Sequence, residues 1–197
     1  VEKALGNLAE AKRLLKRALE INEKTYEPDH PVLARDYSNL ALVEQALGNL
    51  AEAKRLLGQA VEIFEKAYEP DHPALATSYS NLALVEQDLG DLAEAKRLLE
   101  RALEINEKTY EPDHPVLAVR YSNLALVEQD LGNLVEAKRL FERTLEILFQ
   151  FSRRNGHLHP HLQGAIDSYV AVLEAMDIPE DDIEPKLREL APDFSWE

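Results

Sequence analysis

Histidine, serine and glutamate recur in this chain at a fixed interval, and they are the first residues to test for chemistry. His30, His72 and His114 each stand in an Asp-His-Pro string, 42 residues apart. A zinc-type metal takes three or four ligands within ~2.0–2.2 Å of one ion. One histidine per interval sets successive rings about a helix pair apart, so capping and loop packing is the expected role. His157, His159 and His161 lie closer together and could catch a transition metal adventitiously, but no physiological metal site is expected. Ser38, Ser80 and Ser122 have no histidine partner evident in the sequence, and no glycine-rich phosphate loop is present. Glu44, Glu86 and Glu128 fall beside an apolar seam. A buried charge without a partner is expensive. Lys54 or Arg55 of the helix after Glu44 is the expected partner, giving a structural salt bridge. No enzyme and no cofactor are expected.

The interval belongs to a repeat. The block Gly-Asn-Leu-Ala-Glu-Ala-Lys-Arg-Leu-Leu, with small changes, starts at Gly6, Gly48, Gly90 and Gly132, each 42 residues from the last. Residues 6–47 and 90–131 agree at 37 of 42 positions, and residues 48–89 and 90–131 at 33 of 42. A period of this size means stacked supersecondary units, each burying its apolar face against its neighbours. Such a stack offers extended surface, so binding is the first function to consider.

Composition narrows the partners. The net charge of -15 argues against nucleic acid and anionic membrane, both polyanions, and permits a basic or neutral peptide. No stretch approaches the ~18 apolar residues of a membrane span, and no signal peptide is visible. The absence of cysteine excludes a disulfide framework and thiolate chemistry, and fits a cytoplasmic protein.

Each unit reads as two helices. In residues 71–111, Asp71-His72-Pro73 opens the first, since proline suits a first helical turn and Asp or His can cap it. Leu75, Tyr79, Leu82, Ala83 and Leu89 follow at mainly helical spacing. Gly90 ends that helix by accepting left-handed φ. Asp91 with Glu94 then has the form of a capping box. Asn7/Glu10, Asn49/Glu52 and Asn133/Glu136 repeat the pattern, each cap worth ~1 kcal/mol. The turn is too short for anything but antiparallel neighbours. Ala41, Ala83 and Ala125 in first helices, and Ala53, Ala60, Ala95, Ala102 and Ala137 in second helices, mark close helix contacts.

These residues resemble the tetratricopeptide repeat family. Leu40-Ala41, Gly48, Ala53, Leu57 and Ala60 match its order, as do Leu82-Ala83, Gly90, Ala95, Leu99 and Ala102. The common unit is about 34 residues. The longer unit here looks like the class of kinesin light chains and many bacterial repeat proteins. One departure is Glu44, Glu86 and Glu128, where the family commonly has Tyr. The resemblance implies an all-α, right-handed solenoid of antiparallel helix pairs. It would be one domain: a truncated repeat at 1–28, full repeats at 29–70, 71–112 and 113–156, and a divergent capping repeat at 157–197.

The resemblance also implies a concave face lined by first helices. It places there Arg35, Ser38, Leu42 and Gln45, then Thr77, Ser80, Leu84 and Gln87, then Val119, Ser122, Leu126 and Gln129. Positions 35, 38, 42 and 45 share one side of a helix. Asn39, Asn81 and Asn123 lie beside them. Asparagine both donates and accepts, and kinesin light chains use it at the matching place for cargo peptides. Either these amides contact a peptide or they bond the neighbouring repeat. The face lacks the lysine pattern of chaperone-binding members. The implied function is a non-catalytic protein- or peptide-binding scaffold; the alternative is a self-assembly module stacking end to end.

The two ends differ. Val1–Gly6 aligns with residues 43–48, the last turn of a first helix, so the chain reads as an excised fragment of a longer protein. The first complete helix would then be Leu8–Tyr26, leaving Leu8, Ala11, Leu15 and Ala18 partly exposed for self-association. At the other end Pro160 lies 45 residues after Pro115, so three residues are inserted. Residues 161–176 still read as a first helix. Pro185 is expected to confine the next helix to about residues 185–191, and Phe194 and Trp196 to fold back on it.

Overall fold

The structure, a computed structural model, describes the backbone of residues 2–191 and the side chains of residues 6–191. Phe194 and Trp196 lie outside the described residues. Among the described residues every element is a helix: α1 (Glu2–Asn22), α2 (Pro31–Ala46), α3 (Leu50–Ala67), α4 (Pro73–Leu89), α5 (Leu92–Thr109), α6 (Pro115–Asp130), α7 (Leu134–Asn155), α8 (Leu162–Ala175) and α9 (Glu180–Leu190). The chain divides into two compact units, residues 1–105 and 106–197.

In the first unit α1 packs on α2, α2 on α3, and α3 on α4, with α2 also touching α4. Ala41, Ala53, Ala60, Ala83, Ala95 and Ala102 are wholly buried, as close axes require. Leu56, Leu57, Ile63, Phe64 and Leu75 fill the space around them. In the second unit α6 packs on α7, and α7 on α8 and α9. Its core is heavier, with Phe141, Leu145, Phe149 and Tyr169 all fully buried.

The histidines of the Asp-His-Pro strings are helix caps. Nδ1 of His30, His72 and His114 accepts from the backbone N–H of Val32, Ala74 and Val116 at 3.2, 3.1 and 3.2 Å. A ring nitrogen accepts only when unprotonated. Each imidazole also stacks on a tyrosine four residues earlier: Tyr26, Tyr68 and Tyr110, with centroids 4.3, 3.9 and 4.4 Å apart. The recurring string is thus a cap plus a stacked ring, and its chemistry is structural.

The glycine turns also follow the sequence reading, but their caps do not. Gly48, Gly90 and Gly132 take φ of +78°, +84° and +79°. The next N–H reaches back to the glutamate carbonyl, as Asn49 N to Glu44 O at 2.8 Å and Asp91 N to Glu86 O at 2.9 Å. The capping box, however, is not formed at Asn49 or Asn133. Their amides donate instead to the buried carboxylates of Glu44 and Glu128, at 2.8 and 2.7 Å. Asp91 has no donor to offer Glu86, so it alone caps, accepting from Glu94 N at 3.2 Å. Glu52, Glu94 and Glu136 do not reach back; each pairs with Arg55, Arg97 or Arg139 three residues on.

The glutamate partners also come from the other side. Lys12 Nζ lies 2.8 Å from Glu44 Oε2, and Lys54 Nζ lies 2.8 Å from Glu86 Oε2. The lysine belongs to the preceding second helix, not the following one as the sequence reading had it. A first helix is sandwiched between two second helices, and its buried Glu faces the earlier one.

Two ends depart from expectation. The chain does not turn at Gly6: α1 runs through Gly6 and Asn7 and stops at Asn22, so no Asn7 cap forms. Glu, Lys, Ala and Leu are strong helix formers and carry the helix across the glycine. At the other end Pro185 lies inside α9 and does not start it. Ile183 and Leu187 share one buried stripe, which fixes the helix from Glu180. The carbonyl that the proline leaves free belongs to Asp181, which is exposed to water.

Candidate functional site

The predicted face can be built helix by helix. On α2, Arg35 and Asn39 are exposed, and Leu42 is 44% exposed. Ser38 turns its hydroxyl to its own helix, donating to Ala34 O at 2.8 Å. Gln45 is committed to repeat contact, donating to Asp88 Oδ2 of α4 at 2.7 Å. On α4, Thr77 donates to Pro73 O, whereas Asn81, Leu84 and Gln87 are half-buried. Ser80 is buried and its Oγ has no partner, so it faces inward and not toward a ligand. On α6, Val119 and Leu126 are exposed, and Ser122, Asn123 and Gln129 are half-buried.

Two features make this face unusual. Leu42, Val119 and Leu126 are large apolar residues of first helices left 44%, 38% and 36% exposed. Beside them the side-chain amides of Asn39, Asn81 and Asn123 hold no hydrogen bond to any described residue. An amide with a free donor and acceptor next to exposed apolar area can take a peptide backbone while the apolar area takes its side chains. Within the second unit, Val119, Ser122 and Asn123 of α6 line a hollow of about 320 Å³ with residues of α7 and α8. The contribution of α8 to that hollow was not visible in the sequence reading.

The second helices are different. Their outward sides carry ladders of ion pairs three residues apart, Arg55–Glu52, Arg97–Glu94 and Arg139–Glu136. Tyr37, Tyr79 and Tyr121 donate to Glu23, Glu65 and Glu107 at 2.9, 2.7 and 2.7 Å. Burial, aided by Glu65, pushes the Tyr79 hydroxyl up to about 12. These tyrosines are neutral struts between helices, a role the sequence reading did not assign.

The histidines of the insertion are locked into local packing. His159 Nδ1 accepts from His161 N at 3.2 Å, and Phe151 sets its edge against His157 and His159. Burial, then the neighbouring His161 and His157, lowers the pKa of His159. Among the described residues no group of three His, Asp or Glu could hold a metal ion. No helix there is long and apolar enough to cross a membrane.

At the amino-terminal end Leu8, Ala11 and Leu15 are half-buried and Ala18 is exposed. The larger exposed groups are Leu14 at 54% and Ile21 at 52%, which the sequence reading did not name. One period on, their counterparts Leu56 and Ile63 are 1% and 6% exposed. Repeat register was the signal that could have found them.

The profile of the tetratricopeptide repeat family matches residues 1–66, 37–105 and 75–148. The chain belongs to the tetratricopeptide repeat family. It is similar to a crystal structure of a Podosopora anserina protein assigned as a kinesin light chain with nearly identical TPR-like repeats. Identity there is 28%, covering 95% of this chain and 88% of that one, with a TM-score of 0.78. The fold is shared with BtubC (BKLC) from P. vanneervenii at 22% identity, covering 99% and 78%, with a TM-score of 0.76. No curated protein matches the chain significantly. Tetratricopeptide repeat proteins are generally non-catalytic scaffolds that mediate protein interactions.

Proposed function

We propose that this tetratricopeptide repeat chain is a non-enzymatic scaffold that binds a protein or peptide along the first-helix face. The observation that carries this reading is the pairing of unengaged Asn39, Asn81 and Asn123 amides with exposed Leu42, Val119 and Leu126. The acidic balance, -15 overall, favours a basic segment over nucleic acid or an anionic membrane. A chain without cysteine suits the reducing cytoplasm, where we place it. The test is capture from a peptide library by the parent and by a variant with Asn39, Asn81 and Asn123 all changed to Ala. Both must show equal helicity and melting. Peptides kept by the parent and lost by the variant support the reading; equal capture by both overturns it.

A second reading is self-association through α1. It is favoured by Leu14 and Ile21, uncovered here although their counterparts one period on are buried. Leu8, Ala11, Leu15 and Ala18 would edge that contact. Mass that rises with concentration, and falls when Leu14 and Ile21 are both changed to Gln, would support it.

A further inference from the structure

One substitution in the second helices removes a cation that the other copies keep. Arg17, Arg101 and Arg143 stand at matching positions of the repeat, and the copy between the first two has Gln59. Each arginine pairs with the glutamate three residues on: Arg17 with Glu20 at 3.1 Å, Arg101 with Glu104 at 2.6 Å and Arg143 with Glu146 at 2.8 Å. Arg101 and Arg143 also reach the connection before the first helix, donating to Pro70 O at 3.4 Å and to Pro112 O at 3.0 Å. Arg101 lies 3.9 Å from Asp71, and Arg143 bonds the Tyr121 hydroxyl. The chain therefore builds one guanidinium seat twice, from a carboxylate, a proline carbonyl and the groups beside them.

Moved back one period, the partners of Arg101 become Pro28, Asp29 and Glu62, and Tyr37 takes the place of Tyr79. All four line a single hollow of about 300 Å³, as does Gln59. Gln59 does not fill it, because its Oε1 accepts from Arg55 Nη1 at 2.7 Å. The Glu62 carboxylate and the Pro28 carbonyl hold no hydrogen bond or ion pair with any described residue. Tyr37 gives its proton to Glu23 at 2.9 Å and keeps lone pairs that can accept. Three carboxylates, on Glu23, Asp29 and Glu62, line the hollow against one lysine, Lys66. That lysine holds Asp29 at 3.1 Å, with both groups exposed, so water screens the pair. Buried Leu33 and Ile63 give the hollow an apolar base for the stem of a long side chain.

We propose that this hollow is a seat for an arginine side chain of a partner protein. The guanidinium takes the place that Arg101 and Arg143 hold in the later repeats, donating to the Glu62 carboxylate and Pro28 O. Its stem lies on Leu33 and Ile63. Lysine fits worse, because a point charge lacks the planar fork that serves a carboxylate and a carbonyl together. The acidic balance of the chain draws such a segment in. The seat is separate from the first-helix face: Tyr37 and Asn39 are two residues apart on α2, about 200° around the helix. It is a second surface and does not depend on peptide binding at the asparagines.

The test uses the full chain and short Gly-Ser peptides with one central residue: arginine, lysine or citrulline, the neutral isostere of arginine. Binding is followed by nuclear magnetic resonance at the backbone amide of Glu62 and the methyl groups of Leu33 and Ile63. The decisive variant is Gln59→Arg, which seats the chain's own guanidinium as Arg101 and Arg143 are seated. The arginine peptide should shift these resonances. The citrulline peptide, and the arginine peptide on Gln59→Arg, should each bind at least about fivefold more weakly, as losing a charge-assisted contact predicts. The lysine peptide should fall between. Gln59→Arg should melt no lower than the parent; if it fails to fold, Glu62→Gln decides, with weaker binding of the arginine peptide expected. The variant with Asn39, Asn81 and Asn123 changed to Ala should bind the arginine peptide as the parent does. Equal binding of the arginine and citrulline peptides overturns guanidinium recognition. Binding undiminished by Gln59→Arg, or lost in the asparagine variant, overturns the seat. No binding of the arginine peptide overturns the proposal and leaves the first-helix reading untouched.

Discussion

Replacing Lys54 by Met strands a buried carboxylate. The Glu86 side chain is 3% exposed and its carboxylate takes a single side-chain partner, Lys54 Nζ at 2.8 Å. Removing one member of a buried pair typically costs ~3–5 kcal/mol. Lys54 is 48% exposed, so part of its attraction is already screened by water. Protonating a reference glutamate at pH 7 costs roughly 3.7 kcal/mol, which caps the loss. Lys54→Met should therefore destabilise the fold by about 2–3 kcal/mol, or about 4–12 °C in melting temperature for a chain of this size. Lys12→Met should cost less, about 1–2 kcal/mol, because Glu44 keeps the amide of Asn49 at 2.8 Å. Changing both Lys54 and Glu86 to Met should return close to the parent, since a packed apolar pair replaces an ionic one. Asp91→Asn supplies the donor that the other repeats have, and should soften the effect of Lys54→Met. Urea unfolding followed by circular dichroism and by tyrosine fluorescence reads all four, with coincident transitions as the check on two-state analysis. A loss below about 0.5 kcal/mol for Lys54→Met, or a double variant as unstable as the single, would refute the reasoning.

Other expectations follow from single sites. Ser80→Ala should stabilise by about 1 kcal/mol in thermal melts, because the buried Ser80 hydroxyl has no partner to lose. Gly58→Ala, in α3 with open space around the new Cβ, should stabilise by ~0.5–1 kcal/mol. Gly90→Ala, at a φ of +84°, should destabilise by ~1 kcal/mol or more. The folded pKa of His159 is lowered, so the unfolded chain binds more protons there. That contribution is fully present above the unfolded value near 6.5 and is lost as pH falls through the lower folded one. His159→Asn should flatten the fall in urea midpoint below about pH 6.5, and an unchanged slope would contradict the assignment.

The sequence carried the fold through its period. Gly48, Gly90 and Gly132 placed the turns, and the alanines placed the close contacts, because both depend on local geometry and residue size. The capping histidines were legible for the same reason. What was not legible depends on choices among neighbours in space. Asn49 had the form of a cap, yet the buried carboxylate of Glu44 outcompetes the helix end for its amide. Lys54, ten residues after Glu44, was the expected partner, yet packing gives Glu44 to Lys12 and Lys54 to Glu86. Pro185 lies within α9 because a buried stripe overrides a local penalty at an exposed turn. Of the candidate face, the residues were named through the family resemblance, and Asn39, Leu42 and Leu126 among them are exposed. The inward turn of Ser80 and the bond from Gln45 to Asp88 were not legible, because identical strings sit in different surroundings.

The central claim is that the first-helix face takes a peptide. Its most direct measurement is a nuclear magnetic resonance titration with a peptide captured by the parent chain, following the side-chain amides of Asn39, Asn81 and Asn123. The account predicts that these resonances shift together with backbone amides on α2, α4 and α6, while those on the outward sides of α3 and α5 stay still. Shifts confined to the second helices or to α1, with the asparagine amides unmoved, would contradict it.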